Sequence, residues 1–291
     1  MTWLVTGANG QLGKALTREL DLRGIVYAAF GSDTLDITNA ESVNQIFEKI
    51  KPDVVINAAA WTDVDGAESN RDAAFEVNGV GVANLARAST HAAAVLVHVS
   101  TDYVFSGQAD QPWPETAPID PQSVYGHSKA AGELAVGSIY PERSYIVRTA
   151  WLYSEFGKNF AKTMCNLAIS SDKEVKVVND QVGQPTNANE LAAQLIDLVG
   201  SRAAFGIYHG TSSGQTSWFE FAQEIFKLCD ADVHRVTAVS SSQFPRPAKR
   251  PNFSVLSHAS WAKSGIAPMA DWKTALEKSM PAIVNSVKMQ G

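Results

Sequence analysis

The sequence is poor in the features that announce secretion, membrane insertion or metal chemistry. It holds only two cysteines, Cys165 and Cys229, too few for a disulfide framework and suited to a reducing compartment. No apolar run approaches the ~18 residues that a membrane-spanning helix needs. The opening, MTWLVTGANG, has no basic start and no apolar stretch before a cleavage site, so the expected location is the cytoplasm. Positive charge is in deficit, with 24 Lys+Arg against 30 Asp+Glu. That balance argues against a nucleic-acid or membrane partner. The six histidines (91, 98, 127, 209, 234 and 258) show no HxxxH or Cys/His ligand spacing, and His98, within an apolar run, reads as a core residue. Neither a Gly-x-Ser-x-Gly elbow nor a Walker pattern occurs, which argues against hydrolases and NTPases. There is no internal repeat.

What is present is alternation. Short apolar runs at Trp3–Thr6, Ile25–Phe30, Asp53–Asn57, Ala94–Ser100 and Tyr145–Arg148 are separated by helical patterns. Those patterns cover Gln11–Leu22, about Asn39–Ile50, Arg71–His91 and Pro121–Ser138. Thr38 with Glu41 three residues on predicts a capping box at the second helix. Almost wholly apolar strands alternating with helices predict a parallel sheet covered on both faces, an α/β, Rossmann-like, doubly wound fold. After about residue 150 the rhythm loosens, with helical patterns near Asn159–Ile169, Ala188–Val199, Trp218–Leu228 and Trp272–Val287. The expected organisation is a dinucleotide-binding domain over 1–150. A smaller mixed α/β substrate-binding lobe over 151–291 follows, with some of its chain returning to the first sheet.

Three motifs carry chemistry. Gly7-Ala-Asn-Gly10-Gln-Leu-Gly13 follows the first strand and opens the first helix. Glycines there permit a tight turn and close backbone approach, so a pyrophosphate fits against the free N–H groups of the helix start. Tyr125-Gly-His-Ser-Lys129 places a phenol and an ammonium four residues apart on one helical face. A nearby positive charge lowers a phenol's pKa from ~10, and about 4 kcal/mol of such stabilisation, from Lys129 and a positive nicotinamide ring together, would bring it near 7. Ser100-Thr101-Asp102 ends the fourth strand, at the edge of a parallel sheet where ligands bind. The second strand ends Phe30-Gly31-Ser32 without the usual ribose-binding acid. That favours NADP(H), although no nearby Arg or Lys welcomes a 2′-phosphate and NAD(H) stays open.

Together these motifs resemble the extended short-chain dehydrogenase/reductase superfamily and, within it, the dTDP-4-dehydrorhamnose reductase family. The resemblance runs nearly end to end, through GANGQLG (7–13), NAAAWTDVDGAES (57–69), STDYVFSG (100–107), YGHSKAAGE (125–133), RTAWLY (148–153), NFAKTM (159–164), NDQVGQPT (179–186), SWFEFA (217–222) and KRP (249–251). It implies reduction of the C4 keto group of dTDP-4-dehydro-L-rhamnose to dTDP-L-rhamnose, with Tyr125 as general acid, Lys129 binding the cofactor ribose and Thr101 polarising the carbonyl. It further implies that Gly7, Gly10, Gln11, Leu12 and Gly13 meet the pyrophosphate and that Asp36 and Ile37 meet the adenine. Ala60 and Thr62 would line the path to the nicotinamide. The nucleotide sugar would meet Thr101, Asp102, Trp151, Asn159 and Arg250. From the residues alone, Trp151 also reads as core filler and Arg250 as a surface charge. Magnesium, carried by some members on glutamates, is not expected, because Ala15 stands where an acid partner to Glu190 belongs. A dehydratase or epimerase of the same superfamily is the nearest rival, and a non-catalytic cofactor-binding subunit the more distant one. Monomer and homodimer both remain compatible with the sequence.

Overall fold

A computed structural model describes residues 1–201 and 203–289, so the last residues of the expected second lobe lie outside the described part. Five strands come from the first half: β1 (Trp3–Thr6), β2 (Tyr27–Phe30), β3 (Val54–Asn57), β4 (Val95–Thr101) and β5 (Ser144–Thr149). With Gly206–His209 they build one six-stranded sheet in the order Gly206–His209, β5, β4, β3, β1, β2, parallel throughout. Side chains alternate across a strand, and here both directions are dry. Trp3 and Val5 enter one core with Leu16, Leu191, Leu195 and Trp261. Leu4 enters the other with Val43, Phe47, Leu85 and Val136. Two buried faces explain why β1 and β3 read as unbroken apolar runs.

The helices α1 (Gln11–Leu22), α2 (Ala40–Ile50), α3 (Val64–Ser69), α4 (Arg71–Phe75), α5 (Val82–Ala92) and α6 (Val124–Ile139) belong to the first half of the chain. Among them, α1 covers one face of the sheet and α2, α5 and α6 the other. The predicted helix over 71–91 is interrupted by a π-helical segment, Glu76–Gly81, between α4 and α5. The short α3, capped by Asp63 accepting from the Gly66 N–H at 2.9 Å, had no sequence signal long enough to predict it.

The predicted capping box at α2 does not form. Asn39 is the cap, accepting from the Ser42 N–H at 3.1 Å. Thr38 instead donates to Asp36 Oδ1 at 2.7 Å, because Asp36 closes an Asx turn with the Thr38 backbone and draws that hydroxyl back.

Beyond residue 150 the helices α7 (Phe160–Ser170), α8 (Ala188–Gly200), α9 (Trp218–Leu228), α10 (Ala259–Ser264) and α11 (Trp272–Lys288) divide between two cores. Helices α7, α9 and α11 close a second core around Phe221, Phe226, Trp272 and Ile283, with the parallel strand pair Val175–Val178 and Val236–Val239. Helix α8 and Trp261 of α10 return to the first core beside Gly206–His209. No described helix is long and apolar enough to cross a membrane.

Candidate active site

The sheet order reverses at β1, whose neighbours are β2 and β3, and the loops beyond these carboxyl ends form the crevice where ligands bind in such sheets. Gly7 turns the chain there with φ +68°, and a Cβ on it would meet the Ala59 nitrogen at 2.5 Å. A Cβ on Gly13 would lie 2.6 Å from the Ala8 Cα, so this glycine lets the turn and α1 touch. Gly10 is exposed and precedes α1 with no side chain capping the helix. The first N–H groups of α1 are therefore free to take an anion. Leu12 is buried in the core, so only its backbone faces that position. The glycines therefore serve close backbone packing of the turn against α1 and the loop after β3.

Farther along the crevice, Asp36 is exposed and Ile37 is buried. The Ile37 carbonyl accepts from Asn84 Nδ2 at 3.1 Å, which holds the segment against α5. Asp33, near the tip of β2, accepts from Asn9 Nδ2 at 3.0 Å. Ala60 is partly exposed and Thr62 exposed, on the loop after β3.

At the end of β4 stand Ser100, Thr101 and Asp102, all buried. Thr101 Oγ1 donates to Asp102 Oδ1 at 3.0 Å and accepts from the Tyr103 N–H at 3.2 Å. Ser100 Oγ and Asp102 Oδ2 are buried without a hydrogen-bond partner among the described residues. Helix α6 begins at the Ser123 cap, whose hydroxyl accepts from the Gly126 N–H. Its first turn brings Tyr125 to the same place, edge-on to Tyr103 with ring centroids 5.4 Å apart.

In the protein alone, burial dominates the Tyr125 phenol. Its phenol is pushed up to about 12 by burial, with the Thr101 hydroxyl working the other way. Lys129, four residues on, is buried and gives its ammonium to the Val99 carbonyl at 2.7 Å. Burial lowers Lys129 to about 8, and the Glu133 carboxylate opposes that shift. The lysine therefore anchors the strand end, and the phenol keeps its proton.

Asp102 is pushed up to about 6, mainly by burial, with the neighbouring Ser254 and Thr101 hydroxyls opposing. The folded state thus disfavours the carboxylate at every pH above about 6 and carries no such penalty below the ordinary value of 3.8. Asp102→Asn is expected to raise stability at pH 7 by up to about 3 kcal/mol. The gain shrinks as pH falls from 6 toward 4, where aspartic acid is itself neutral. Urea unfolding at pH 7 and pH 4 checks both halves; an equal gain at the two pH values would contradict it.

Trp151 holds a left-handed backbone, φ +47°, which a bulky residue adopts only under constraint, at a cost of ~1–3 kcal/mol. Its ring stacks on Trp218 of α9, with centroids 3.6 Å apart and planes 9° from parallel. Gly183 admits its edge, since a Cβ there would meet Trp151 Cε2 at 2.6 Å. Asn159 caps α7, accepting from the Lys162 N–H at 3.0 Å, and its amide donates to Gln11 Oε1 at 2.9 Å and to the Ser154 carbonyl at 2.8 Å. Both ends of that side chain are committed, so in this structure it ties the second lobe to the glycine-rich turn. Arg250 pairs with Asp65 at 2.9 Å, and Asp65 also accepts from the Ala248 N–H. The Arg250 segment is docked at Gly107, where a Cβ would meet Pro251 Cα at 2.5 Å. Arg250 also acts on Tyr103, whose phenol burial pushes up and the guanidinium holds down. Glu190, in the first turn of α8, is raised by burial.

Two features had no readable motif. Asn78, in the π-helical segment, accepts from the Trp61 N–H at 2.9 Å and donates to the Trp61 carbonyl at 3.1 Å and to Ser128 Oγ at 2.9 Å. It fastens the loop bearing Ala60 and Thr62 to the helix bearing Tyr125 and Lys129. Asn78→Ala leaves these buried groups unpaired and is expected to lose about 2–3 kcal/mol of stability, read by urea unfolding. The second feature is a buried pair beneath the site. Arg148 meets Glu133 through two bonds of 2.9 and 2.7 Å and also touches the Glu115 carbonyl. Its charge adds to burial in lowering His209 to about 3.

The model of the RmlD substrate binding domain family matches residues 1–284. The chain belongs to the dTDP-4-dehydrorhamnose reductase family. The Streptomyces griseus enzyme named dTDP-4-dehydrorhamnose reductase is 46% identical over 285 residues, covering 97% of this chain and 93% of the relative. A Streptomyces niveus protein named dTDP-4-keto-6-deoxy-D-glucose reductase is 41% identical over 281 residues, covering 97% of each. The crystal structure of the Bacillus anthracis family member in complex with NADP superposes with a TM-score of 0.92 at 39% identity, covering 96% of this chain and 98% of that one. Family membership makes the chain an oxidoreductase of the Rossmann-like type and matches the expected fold class.

Proposed function

We propose that this chain reduces the C4 keto group of dTDP-4-dehydro-L-rhamnose with NADPH, giving dTDP-L-rhamnose. One observation carries the reading: a protonated phenol, a strand-end hydroxyl and a buried lysine meet at the carboxyl end of β4, in the same sheet whose β1 leads into a helix start that no side chain caps. The first 150 residues hold the cofactor and most of the rest shapes the sugar site. Gly7, Gly10, Gln11, Leu12 and Gly13 take the pyrophosphate, Asp36 and Ile37 the adenine, and Ala60 and Thr62 the path to the nicotinamide. The reduced nicotinamide, once bound, supplies the hydride.

Tyr125 holds the proton that the new alkoxide oxygen needs. A phenol pushed up to about 12 stays protonated throughout the neutral range, which suits reduction. Thr101 turns its single hydroxyl proton from Asp102 Oδ1 to the same carbonyl oxygen and stabilises the charge that develops on it. Lys129, held by the Val99 carbonyl, places its ammonium below Tyr125 and takes the cofactor ribose. Asp102 and Trp151 border the sugar, and Arg250 meets the diphosphate by exchanging Asp65 for phosphate oxygens. Asn159 acts on the sugar site by fixing Gln11 and α7.

NADPH is preferred over NADH because β2 ends without a free carboxylate, Asp33 being engaged by Asn9. The work is done in the cytoplasm on a nucleotide sugar, with no nucleic acid or membrane. The protein works as a monomer or a homodimer. The test mixes the protein with dTDP-4-dehydro-L-rhamnose and either NADPH or NADH and follows the nicotinamide absorbance. Oxidation with at least a ~10-fold larger kcat/KM for NADPH, about 1.4 kcal/mol, is expected; no oxidation of either overturns the reading. The Streptomyces niveus relative supports a second substrate, dTDP-4-keto-6-deoxy-D-glucose, and the same assay compares the two.

A further inference from the structure

We propose that Cys165 and Cys229 form a thiol–disulfide site in the second lobe, one that closes to an intramolecular disulfide while the fold stays intact. These are the chain's only two cysteines. They lie 64 positions apart, yet their sulfurs face each other at 3.6 Å, with the Cys229 thiol donating to the Cys165 sulfur. Cys165 is buried in the middle of α7 and Cys229, just past the end of α9, is partly exposed. A pair that served only as small apolar filler would have no need of a thiol on each side.

A disulfide bond is ~2.05 Å long, so closure needs an approach of about 1.5 Å. The position of Cys229 makes that approach feasible. It is the C-cap of α9, and Asp230 turns the chain sharply away with φ +56°. Backbone at a helix end yields more readily than backbone inside a helix. The thiol–thiol hydrogen bond favours the thiolate on Cys165 and disfavours it on Cys229. The accessible sulfur is thus the slow first reactant and the buried one the ready second.

With a small disulfide such as oxidised glutathione, the Cys229 sulfur attacks one glutathione sulfur. The glutathione S–S bond breaks, and the first glutathione leaves as a thiolate that picks up the Cys229 proton. The Cys165 sulfur then attacks Cys229, forming the Cys165–Cys229 bond and breaking the mixed disulfide. The second glutathione leaves and takes the Cys165 proton. Two protein thiols are oxidised and one disulfide is reduced to two thiols.

The bond would couple two helices that reach the site from opposite sides. Helix α7 begins at Asn159, which is bonded to Gln11 on the glycine-rich turn, and α9 begins at Trp218, which stacks on Trp151. An effect on turnover through these contacts rests on the proposed function; the bond itself does not.

The test therefore reads the bond. The full chain is incubated with oxidised glutathione, quenched in acid, and its thiols counted by maleimide labelling and mass. Wild type is expected to lose both thiols without retaining glutathione. Its Tm should rise by about 4–8 °C, as expected for closing a long loop. Cys165→Ser is expected to trap glutathione on Cys229, and Cys229→Ser to leave Cys165 unmodified. Wild type that keeps both thiols, or keeps glutathione on Cys229, overturns the proposal. So does a bridged protein that melts below the reduced one.

Discussion

Tyr125→Phe is expected to lower kcat by about 10³-fold, within the 10²–10⁴ range of a lost general acid, while the Kd for NADPH changes less than about twofold, or 0.4 kcal/mol. The two halves separate chemistry from binding. Tyr125 sits in the first turn of α6 against Tyr103, and removing one hydroxyl leaves that ring contact in place. Lys129 keeps its bond to the Val99 carbonyl, and the glycine-rich turn is remote from the substitution. What disappears is the acid, and Thr101 is a poor replacement because an aliphatic hydroxyl gives up its proton far less readily than a phenol. Stopped-flow nicotinamide absorbance gives the rate, and fluorescence titration gives the Kd. An unchanged kcat would remove Tyr125 from the mechanism.

Glu133→Ala is expected to cost about 3–5 kcal/mol of stability, because it leaves the Arg148 guanidinium charged and unpaired in the interior. Glu133 and Arg148 are both buried and joined by two hydrogen bonds. Phe105 lies against one face of the guanidinium, 4.9 Å from its centre, and offers only weak compensation. His209 cannot help, since it is held neutral and accepts at most a long contact of 3.5 Å. A fall in Tm of roughly 10 °C corresponds to this loss. Because the Glu133 carboxylate supports the charge on Lys129, the variant should also move any activity limb due to Lys129 to lower pH. A Tm within 2 °C of wild type, less than about 1 kcal/mol, would show that the pair is not needed.

These two residues also mark what could be read in the sequence. Tyr125 and Lys129 were legible because their relation is local: four residues on a helix share a face. The bounds of α1 and α9 were legible for the same reason, since the helical spacing of their apolar residues is itself local. Glu133 and Arg148 were not, because their pairing crosses from α6 to β5 and no spacing rule links them. The sixth strand, Gly206–His209, was foreseen only as a return of the chain. Its identity depends on lying beside β5 and under Trp261. Charge was the least legible property. The Tyr-x-x-x-Lys spacing predicted a phenol lowered by Lys129 together with the nicotinamide charge; spacing does not report burial, and in the protein alone burial raises Tyr125 and lowers Lys129. Asn159 shows the converse difficulty. An asparagine before a helix suits both a sugar contact and a cap, and only the structure shows its amide already used.

The central claim is a hydride delivered to C4 with a proton supplied to its oxygen. The most direct measurement uses NADPH carrying deuterium at the transferred position and locates the label in the product by NMR. The account predicts one deuterium on C4 of the deoxysugar in wild type and none transferred by Tyr125→Phe on the same timescale. Deuterium at another carbon, or a product formed without label, would contradict it.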